Sequence, residues 1–270
     1  MAASMRAACV QMCSGVDVDA NLADAAALIG QAVEASCRLV VLPENFSFMS
    51  ADEAAKRQAA SRPDESRALA FLAGQAKHHG ICIIGGTVPL LCDEAPGMRS
   101  SCAVFDPDGR QIACYDKIHL FDVAIPGDTH TESASVAAGN SQQAVDIDGW
   151  KTGLSVCYDL RFPELYRHYS AHGCTALSVV AAFTVPTGKA HWETLLRARA
   201  IENQCYVLAA AQTGEHPGGR KTWGHSMIVD PWGKVLARCE HGKGLATAGL
   251  DAGRLRGIRT MLPALDHRRL

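Results

Sequence analysis

Short, almost wholly apolar runs recur along the chain, and each is followed by polar, small or turn-forming residues. The clearest are RLVVLPE at 38–44, ICIIGGTV at 81–88, GLSVC at 153–157 and ALSVV at 176–180. A run of this length, rich in β-branched residues, predicts a strand that is buried on both faces. Strands of this kind occur in sheets covered by other layers, so we expect a layered α/β protein.

Segments with helical periodicity separate these strands. Within 21–36 the apolar residues fall at helical spacing, which predicts an amphipathic helix. Further helices are predicted at 64–79, 163–172 and 191–204, further strands at 6–13, 205–211 and 245–250, a long polar loop at 121–140 and a basic tail at the end. Two hairpins, at 102–120 and 225–238, turn at DPDG and DPWG. Because hairpins interrupt the alternation of strands and helices, we expect mixed sheets with helices outside.

The composition narrows the functional class. The chain has 270 residues, 48% hydrophobic and 20% charged, which predicts one packed domain over 1–270. The net charge of −2, without long basic runs, argues against a nucleic-acid partner. No apolar run approaches the ~20 residues of a membrane span, and no signal-peptide pattern is present, so we expect a cytoplasmic protein without a membrane partner.

The cysteines and glycines carry no cofactor motif. Eleven cysteines occur without any C-x-x-C spacing, and most lie in apolar runs, as expected for small buried side chains in a reducing compartment. No H-E-x-x-H, G-x-G-x-x-G or P-loop motif is present. We therefore expect neither a metal nor an organic cofactor.

Cys157 differs from the other cysteines in its context. It ends the apolar run GLSVC and begins a polar turn that leads into a predicted helix. A turn of this kind lifts a side chain out of the sheet, and a nearby helix N-terminus would lower the pKa of the thiol. A catalytic nucleophile and a buried structural cysteine are both compatible with this pattern.

Four further residues could assist such a nucleophile. Glu44 follows a buried strand, where partial burial would raise its pKa towards that of a general base, although a cap or a structural ion pair is the alternative. Lys117 ends a strand and could stabilise an oxyanion, or could simply be an exposed hairpin lysine. Glu132 would ordinarily be solvated on its loop. His119 shares a strand face with Lys117, and a packing role is favoured over a Cys–His pair.

Three motifs taken together resemble a known signature. LPEN around Glu44, YDKIHLFD around Lys117 and CYDLRFPELYR from Cys157 resemble, in order and spacing, the Glu-Lys-Cys signature of the nitrilase, or carbon–nitrogen hydrolase, superfamily. The resemblance covers nearly the whole chain, and Glu132 matches the second glutamate of the family. It implies a four-layer α-β-β-α sandwich of two mixed sheets. It also implies a homodimer that pairs through the segments 163–172 and 191–204.

The resemblance also implies roles for the matched residues. Glu44 would take the proton of Cys157, and the sulfur would attack the carbonyl carbon of an amide. Lys117 and the backbone N–H of Tyr158 would hold the oxyanion, and Glu132 would hold Lys117. Glu44 would then protonate the leaving amine and later activate the water that hydrolyses the thioester.

The downstream segments indicate a branch of the family. HWETLLRARAIENQCYVLAAAQTGEH, WGHSMIVDPWGKVLARC and LPALDHRR look most like deaminated glutathione amidases, which cleave α-ketoglutaryl from cysteinylglycine. The related ω-amidases, which act on α-ketoglutaramate, share most of these motifs. FTVPTG departs from the glycine-containing loop that is common in the first group. An N-carbamoyl amino acid hydrolase and a non-catalytic nitrilase-like scaffold stay open as alternatives.

Both α-keto substrates carry a carboxylate, which predicts a cationic contact near the nucleophile. Arg161 is the candidate, because a guanidinium group matches the geometry of a carboxylate, although an internal ion pair with Asp159 or Glu164 is the alternative. Phe183 and Thr184 follow a strand and are expected to line the same pocket, with the Thr184 hydroxyl available to the substrate. An ordinary loop is the alternative for these two residues.

Overall fold

A computed structural model describes residues 4–94, 97–125 and 128–269 of the chain. Six α-helices occur in this part, namely α1 (Val18–Glu34), α2 (Glu53–Ala59), α3 (Arg67–His79), α4 (Pro163–Ala171), α5 (Val185–Asn203) and α6 (Ala252–Met261). None of these helices is long and apolar enough to cross a membrane.

Sixteen strands are described. They are β1 (Met5–Met12), β2 (Leu39–Val41), β3 (Cys82–Ile84), β4 (Val88–Leu91), β5 (Met98–Phe105), β6 (Gln111–Asp116), β7 (Asp122–Ile125), β8 (Asp128–Thr131), β9 (Ala144–Ile147), β10 (Trp150–Val156), β11 (Ala176–Ala181), β12 (Tyr206–Glu215), β13 (Lys221–Trp223), β14 (Met227–Val229), β15 (Val235–Arg238) and β16 (Gly244–Leu250).

Most strands form two mixed sheets. The first has the order β16-β1-β2-β3-β5-β6, with β4 beside the other end of β5. The second has the order β9-β10-β11-β12-β14-β15. A short parallel pairing joins them, where Gln11 and Met12 of β1 meet Ala211 and Gln212 of β12. Each sheet contains parallel and antiparallel neighbours, as the interrupting hairpins predict.

The alternation of side chains along the strands defines the layers. In β1, Ala7 and Cys9 belong to the core between the sheets, whereas Ala8 and Val10 belong to a second core that includes residues of α1 and α3. On the other side, α4 and α5 pack beside the second sheet, with Trp192 in the core. Because each sheet is buried on both faces, the strands read as continuous apolar runs. The result is the expected four-layer α-β-β-α sandwich of the nitrilase-like fold.

Local polar groups set where the helices begin and end. The side chain of Asp17 accepts a hydrogen bond from the backbone N–H of Ala20 at the start of α1, and Ser66 caps α3 in the same way. At the end of α3, Gly80 adopts the left-handed conformation with a φ of 62°. The apolar periodicity alone predicts that α1 starts at residue 21 and α3 at residue 64. The two caps explain why α1 starts earlier, at Val18, and α3 later, at Arg67.

Three expectations about local structure are wrong. The segment predicted as a long loop at 121–140 contains the hairpin β7–β8. The predicted basic tail contains α6, which Asp251 caps. The apolar run at 81–88 is broken after β3, because Gly86 adopts a φ of 60° and a β-carbon there would lie 2.0 Å from the carbonyl oxygen of Pro43.

Candidate active site

Three of the predicted site residues directly follow or nearly follow strands of the two sheets. Glu44 lies three residues beyond β2, Lys117 follows β6 and Cys157 follows β10. These strand ends face one another where the sheets pack, and the side chains meet there. Glu132, which follows β8, contacts Lys117 in the same group.

Lys117 forms the centre of this group. Its Nζ lies 2.9 Å from Glu44 Oε1 and 2.9 and 2.8 Å from the two carboxylate oxygens of Glu132. Glu132 Oε2 also accepts a hydrogen bond of 2.7 Å from the backbone N–H of Phe121. Lys117 and Glu44 are only 2% and 3% exposed, so both ions depend on each other for stabilisation in the interior.

The Glu44 carboxylate also adjoins the nucleophile candidate. Its Oε2 is buried and makes no hydrogen bond of standard geometry with the described residues, while the carboxylate interacts electrostatically with the Cys157 thiol. A carboxylate oxygen without a strong partner therefore lies next to the sulfur. This is the arrangement that a general base needs before proton transfer.

Cys157 has an unusual backbone conformation. Its φ is 50°, in the left-handed region, which costs a non-glycine residue ~1–3 kcal/mol and is found mostly where function requires it. Cys157 begins a 3₁₀ turn, Cys157–Arg161, that separates β10 from α4. Its side chain is buried but reaches the floor of two cavities.

The pKa of Cys157 differs from the sequence-based expectation. Burial and, next, the charge of Glu44 raise the pKa of the thiol well above its ordinary value, despite the opposing charge of Lys117. The expected lowering of this pKa is therefore wrong, because burial and the charge of Glu44 dominate. In the free protein the sulfur is therefore a thiol.

The expectation of a raised pKa for Glu44 is also wrong. Burial raises this pKa, but the charge and hydrogen bond of Lys117, the charge of Arg220 and the Cys157 thiol together lower it, so that the net pKa of Glu44 lies below its ordinary value. Burial likewise lowers the pKa of Lys117, and the carboxylates of Glu132 and Glu44 outweigh it and raise that pKa. The resting site thus contains two carboxylates, an ammonium and a neutral thiol.

A small cavity on one side of the site contains all three residues predicted to bind the substrate. Arg161, Phe183 and Thr184 line it together with Cys157, and its volume is about 200 Å³. The Arg161 guanidinium lies 5.3 Å from the centre of the Phe183 ring, and its NH1 lies 3.2 Å from Nδ1 of His191. No ion pair between Arg161 and Asp159 or Glu164 occurs among the contacts of the described residues, and the role of Arg161 in substrate binding stays a prediction.

Thr184 and Tyr158, which both line this cavity, also have packing roles. The Thr184 hydroxyl lies 3.1 Å from that of Thr187, at the N-terminus of α5. Tyr158 packs its ring edge-on against Phe121, at 5.2 Å between ring centres. Its backbone N–H, predicted to bind the oxyanion, directly follows Cys157 in the chain. These contacts fix the walls of the cavity.

A wider cleft of about 710 Å³ opens on the other side and shares Cys157 and Phe121 with the small cavity. Its lining includes Arg220, Arg99 and Phe48, which sequence reasoning missed. Arg220 follows the glycine-rich turn HPGG, and no sequence signal connects that turn with Cys157. Only the packing of the β12–β13 hairpin brings the two together.

Asp159 was also missed as a structural element of the site. This buried carboxylate accepts hydrogen bonds from the Val156 N–H at 2.8 Å, the Tyr115 hydroxyl at 2.7 Å and the His119 N–H at 3.0 Å. It therefore fixes the turn that contains Cys157 against β6. The sequence CYD alone does not indicate that Asp159, two residues after Cys157, is buried.

His119 has the packing role that was favoured. Its Nδ1 lies 2.7 Å from Asp159 Oδ1, and its ring stacks on Phe162 with 3.7 Å between centres. Histidines at metal-binding spacing do occur once, at His168 on α4 and His172 directly after it. However, no group of three or more potential metal ligands exists among the residues whose positions are described.

Known proteins resemble this chain in sequence and in overall fold. The model of the family named carbon-nitrogen hydrolase matches residues 6–260. The chain is 44% identical to the deaminated glutathione amidase of Synechocystis sp. over 97% of both chains, and 37% identical to the omega-amidase of Homo sapiens over 98% of this chain and 95% of the relative. A crystal structure from Saccharomyces cerevisiae, of a member of branch 10 of the nitrilase superfamily, is 31% identical, with a TM-score of 0.88 and coverage of 99% and 97%.

Proposed function

The chain belongs to the carbon–nitrogen hydrolase family, and we propose that it hydrolyses deaminated glutathione through a thioester on Cys157. The observation that carries this proposal is the direct contact of a buried carboxylate and a buried ammonium beside a buried thiol at the floor of two cavities. The 44% identity to a deaminated glutathione amidase supports the choice of substrate.

The first half of the reaction forms the thioester. Glu44 takes the proton of the Cys157 thiol as the sulfur attacks the amide carbon, because the raised thiol pKa leaves little thiolate beforehand. The ammonium of Lys117 and the backbone N–H of Tyr158 stabilise the oxyanion of the tetrahedral intermediate. Protonated Glu44 then gives its proton to the amide nitrogen, the C–N bond breaks and the amine leaves.

The second half releases the acid. Glu44, ionised again, takes a proton from a water molecule that attacks the thioester carbon. The C–S bond breaks, and the sulfur regains its proton from Glu44. Glu132 holds Lys117 throughout, with both carboxylate oxygens within 2.9 Å of Nζ. No step needs a metal or an organic cofactor.

The small cavity suits the α-ketoglutaryl group. Arg161 can pair with its terminal carboxylate, and the ring of Phe183 and the hydroxyl of Thr184 complete the wall. The ω-amidase substrate α-ketoglutaramate has the same acyl group, and the 37% identity to a human omega-amidase favours it as a second candidate. The two substrates differ only in the leaving group, which is cysteinylglycine or ammonia.

A substrate panel tests the proposal. We expect the protein to release cysteinylglycine from deaminated glutathione faster than ammonia from α-ketoglutaramate, with N-carbamoyl-β-alanine inert. Cys157→Ala should abolish release, and Cys239→Ala, which alters a partly buried cysteine outside both cavities, should not. Mass spectrometry during turnover should detect an α-ketoglutaryl adduct on Cys157. Preferred hydrolysis of α-ketoglutaramate would instead indicate an ω-amidase.

We also propose that the chain acts as one catalytic domain and as a homodimer in the cytoplasm. All eleven cysteines are free thiols, which suits a reducing compartment. Ile201 on α5 is 49% exposed and adjoins Gly233, and the neighbouring Trp232 is 50% exposed. Large exposed apolar side chains together often indicate an interface. Light scattering should give a dimer, and Ile201→Glu should shift it to the monomer.

A further inference from the structure

Arg220 lines the wide cleft without a carboxylate partner of its own. It ends the turn between β12 and β13, and its NH2 donates a hydrogen bond of 3.1 Å to the backbone carbonyl of Ala182. Its Nε is buried and has no hydrogen-bond partner among the described residues. An unsatisfied donor of this kind is rare in folded proteins and indicates a group that binds something else.

Arg99, the other arginine in the same cleft, also has a buried Nε without a hydrogen-bond partner among the described residues, but it differs in its ion pairs. Its NH1 lies 2.6 Å from Asp116, and its NH2 pairs with Glu94. The charge of Arg99 is therefore neutralised within the fold. No carboxylate of the described chain lies within ion-pair distance of Arg220, although its charge reaches Glu44 and contributes to the low pKa of that carboxyl, after burial and Lys117.

We propose that Arg220 binds a carboxylate on the leaving group, and so selects amides whose amine product is a small peptide. This inference rests on the proposed function, because it assigns the wide cleft to the amine side of the scissile bond. With the acyl group beside Arg161, an ammonia leaving group would make no contact with Arg220 in the wide cleft. Cysteinylglycine fills more of the cleft and brings its terminal carboxylate.

The chemistry of an arginine–carboxylate pair supports the assignment of Arg220 to a leaving-group carboxylate. A guanidinium without a carboxylate partner in the fold can bind a ligand carboxylate through two parallel hydrogen bonds. Such a pair in a partly buried cleft is strong enough to change specificity by about 10- to 100-fold. A lysine would supply a single point charge and recover only part of the effect.

Arg220 could otherwise act only through Glu44, by helping to keep the base ionised. Removal of that influence would lower the hydrolysis of every amide by a similar factor. A carboxylate contact, in contrast, affects only substrates that carry the carboxylate. The two roles therefore separate when one enzyme variant is compared on two substrates that differ only in that group.

The experiment compares deaminated glutathione with its C-terminal carboxamide. The wild type should prefer the acid by about 10- to 100-fold in kcat/KM. Arg220→Gln should remove most of this preference, mainly through KM, and Arg220→Lys should restore part of it. Arg99→Gln, in the same cleft, should keep the preference. Equal losses of Arg220→Gln on acid and carboxamide would overturn the inference.

A second measurement separates this inference from the proposed function. If the wild type hydrolyses only α-ketoglutaramate, the proposed substrate is wrong. Inhibition of that reaction by cysteinylglycine and by cysteinylglycinamide then tests Arg220 directly. Stronger inhibition by the acid in the wild type, lost in Arg220→Gln, supports the carboxylate site. Equal inhibition by both compounds in the wild type refutes it.

Discussion

Replacement of Glu44 by glutamine should move amidase activity and thiol acidity in opposite directions. Glutamine has the shape of glutamate and keeps an oxygen that can accept the hydrogen bond from Lys117. It removes the negative charge and the base that adjoin Cys157. Loss of a positioned general base typically costs 10²–10⁴-fold in rate, and we expect Glu44→Gln to lose kcat/KM in this range.

The thiol should respond in the other direction. Burial and then the charge of Glu44 raise the pKa of Cys157, while the charge of Lys117 lowers it. Glu44→Gln removes the second of these influences and leaves the other two. The thiolate should therefore form at a lower pH in the variant than in the wild type. A simple alkylating reagent needs only the thiolate, so Cys157 should react faster at a given pH.

The assay measures iodoacetamide alkylation against pH, resolved to the Cys157 peptide by mass spectrometry. Glu132→Gln is the matched control, because it makes the same chemical change on the other carboxylate of Lys117, away from the sulfur. It should reduce amidase activity through Lys117 but shift the Cys157 titration less. If Glu44→Gln moved the titration to higher pH, the charge argument would be wrong. If it kept full amidase activity, Glu44 would not be the base.

Three further predictions test the surroundings of the site. Asp159→Asn places an amide donor against the donors that now hold the Cys157 turn, and kcat should fall ~10-fold or more while KM changes less, as seen in steady-state kinetics. Gly86→Ala forces a β-carbon against the carbonyl oxygen of Pro43, and both the melting temperature and the activity should fall, with a stability loss of about 1–2 kcal/mol from the backbone alone. Burial raises the pKa of Glu44, but Lys117, Arg220 and Cys157 together lower it below its ordinary value of 4.5, so the acid limb of kcat/KM should lie below pH 4.5, and a limb near pH 6 would contradict this.

The sequence predicts the layered fold because burial leaves a direct trace in it. Strands with two covered faces read as apolar runs, and the runs at 38–44, 153–157 and 176–180 coincide with β2, β10 and β11. The hairpin β7–β8 and the helix α6 escape prediction for the same reason. Both segments are rich in polar residues, and α6 buries only Ala252, Leu255 and Ile258 among its ten residues, so neither contains a continuous apolar run.

The sequence predicts which residues form the candidate site, but it does not predict the direction of their pKa shifts. Glu44 and Lys117 draw attention because charged residues next to buried strands need partners. The signs of the pKa shifts depend on which partner lies closer, and only the folded structure sets the 2.9 Å contact between these two residues. The sequence does not indicate that Arg220 belongs to the site, for a related reason. A guanidinium in a polar turn looks solvated until the fold brings the turn to Cys157.

The charges of the site explain why a neutral thiol suits this chemistry. Glu44, Lys117 and Glu132 together carry one negative charge, and a resting thiolate in the same buried space would add a second. Proton transfer from Cys157 to Glu44 leaves the total unchanged, so attack adds no uncompensated charge to the interior. In the proposed mechanism, the same transfer neutralises the Glu44 carboxylate and so weakens its attraction for Lys117 Nζ, which lies 2.9 Å from Oε1. The ammonium of Lys117 can then direct more of its charge to the oxyanion as the oxyanion forms.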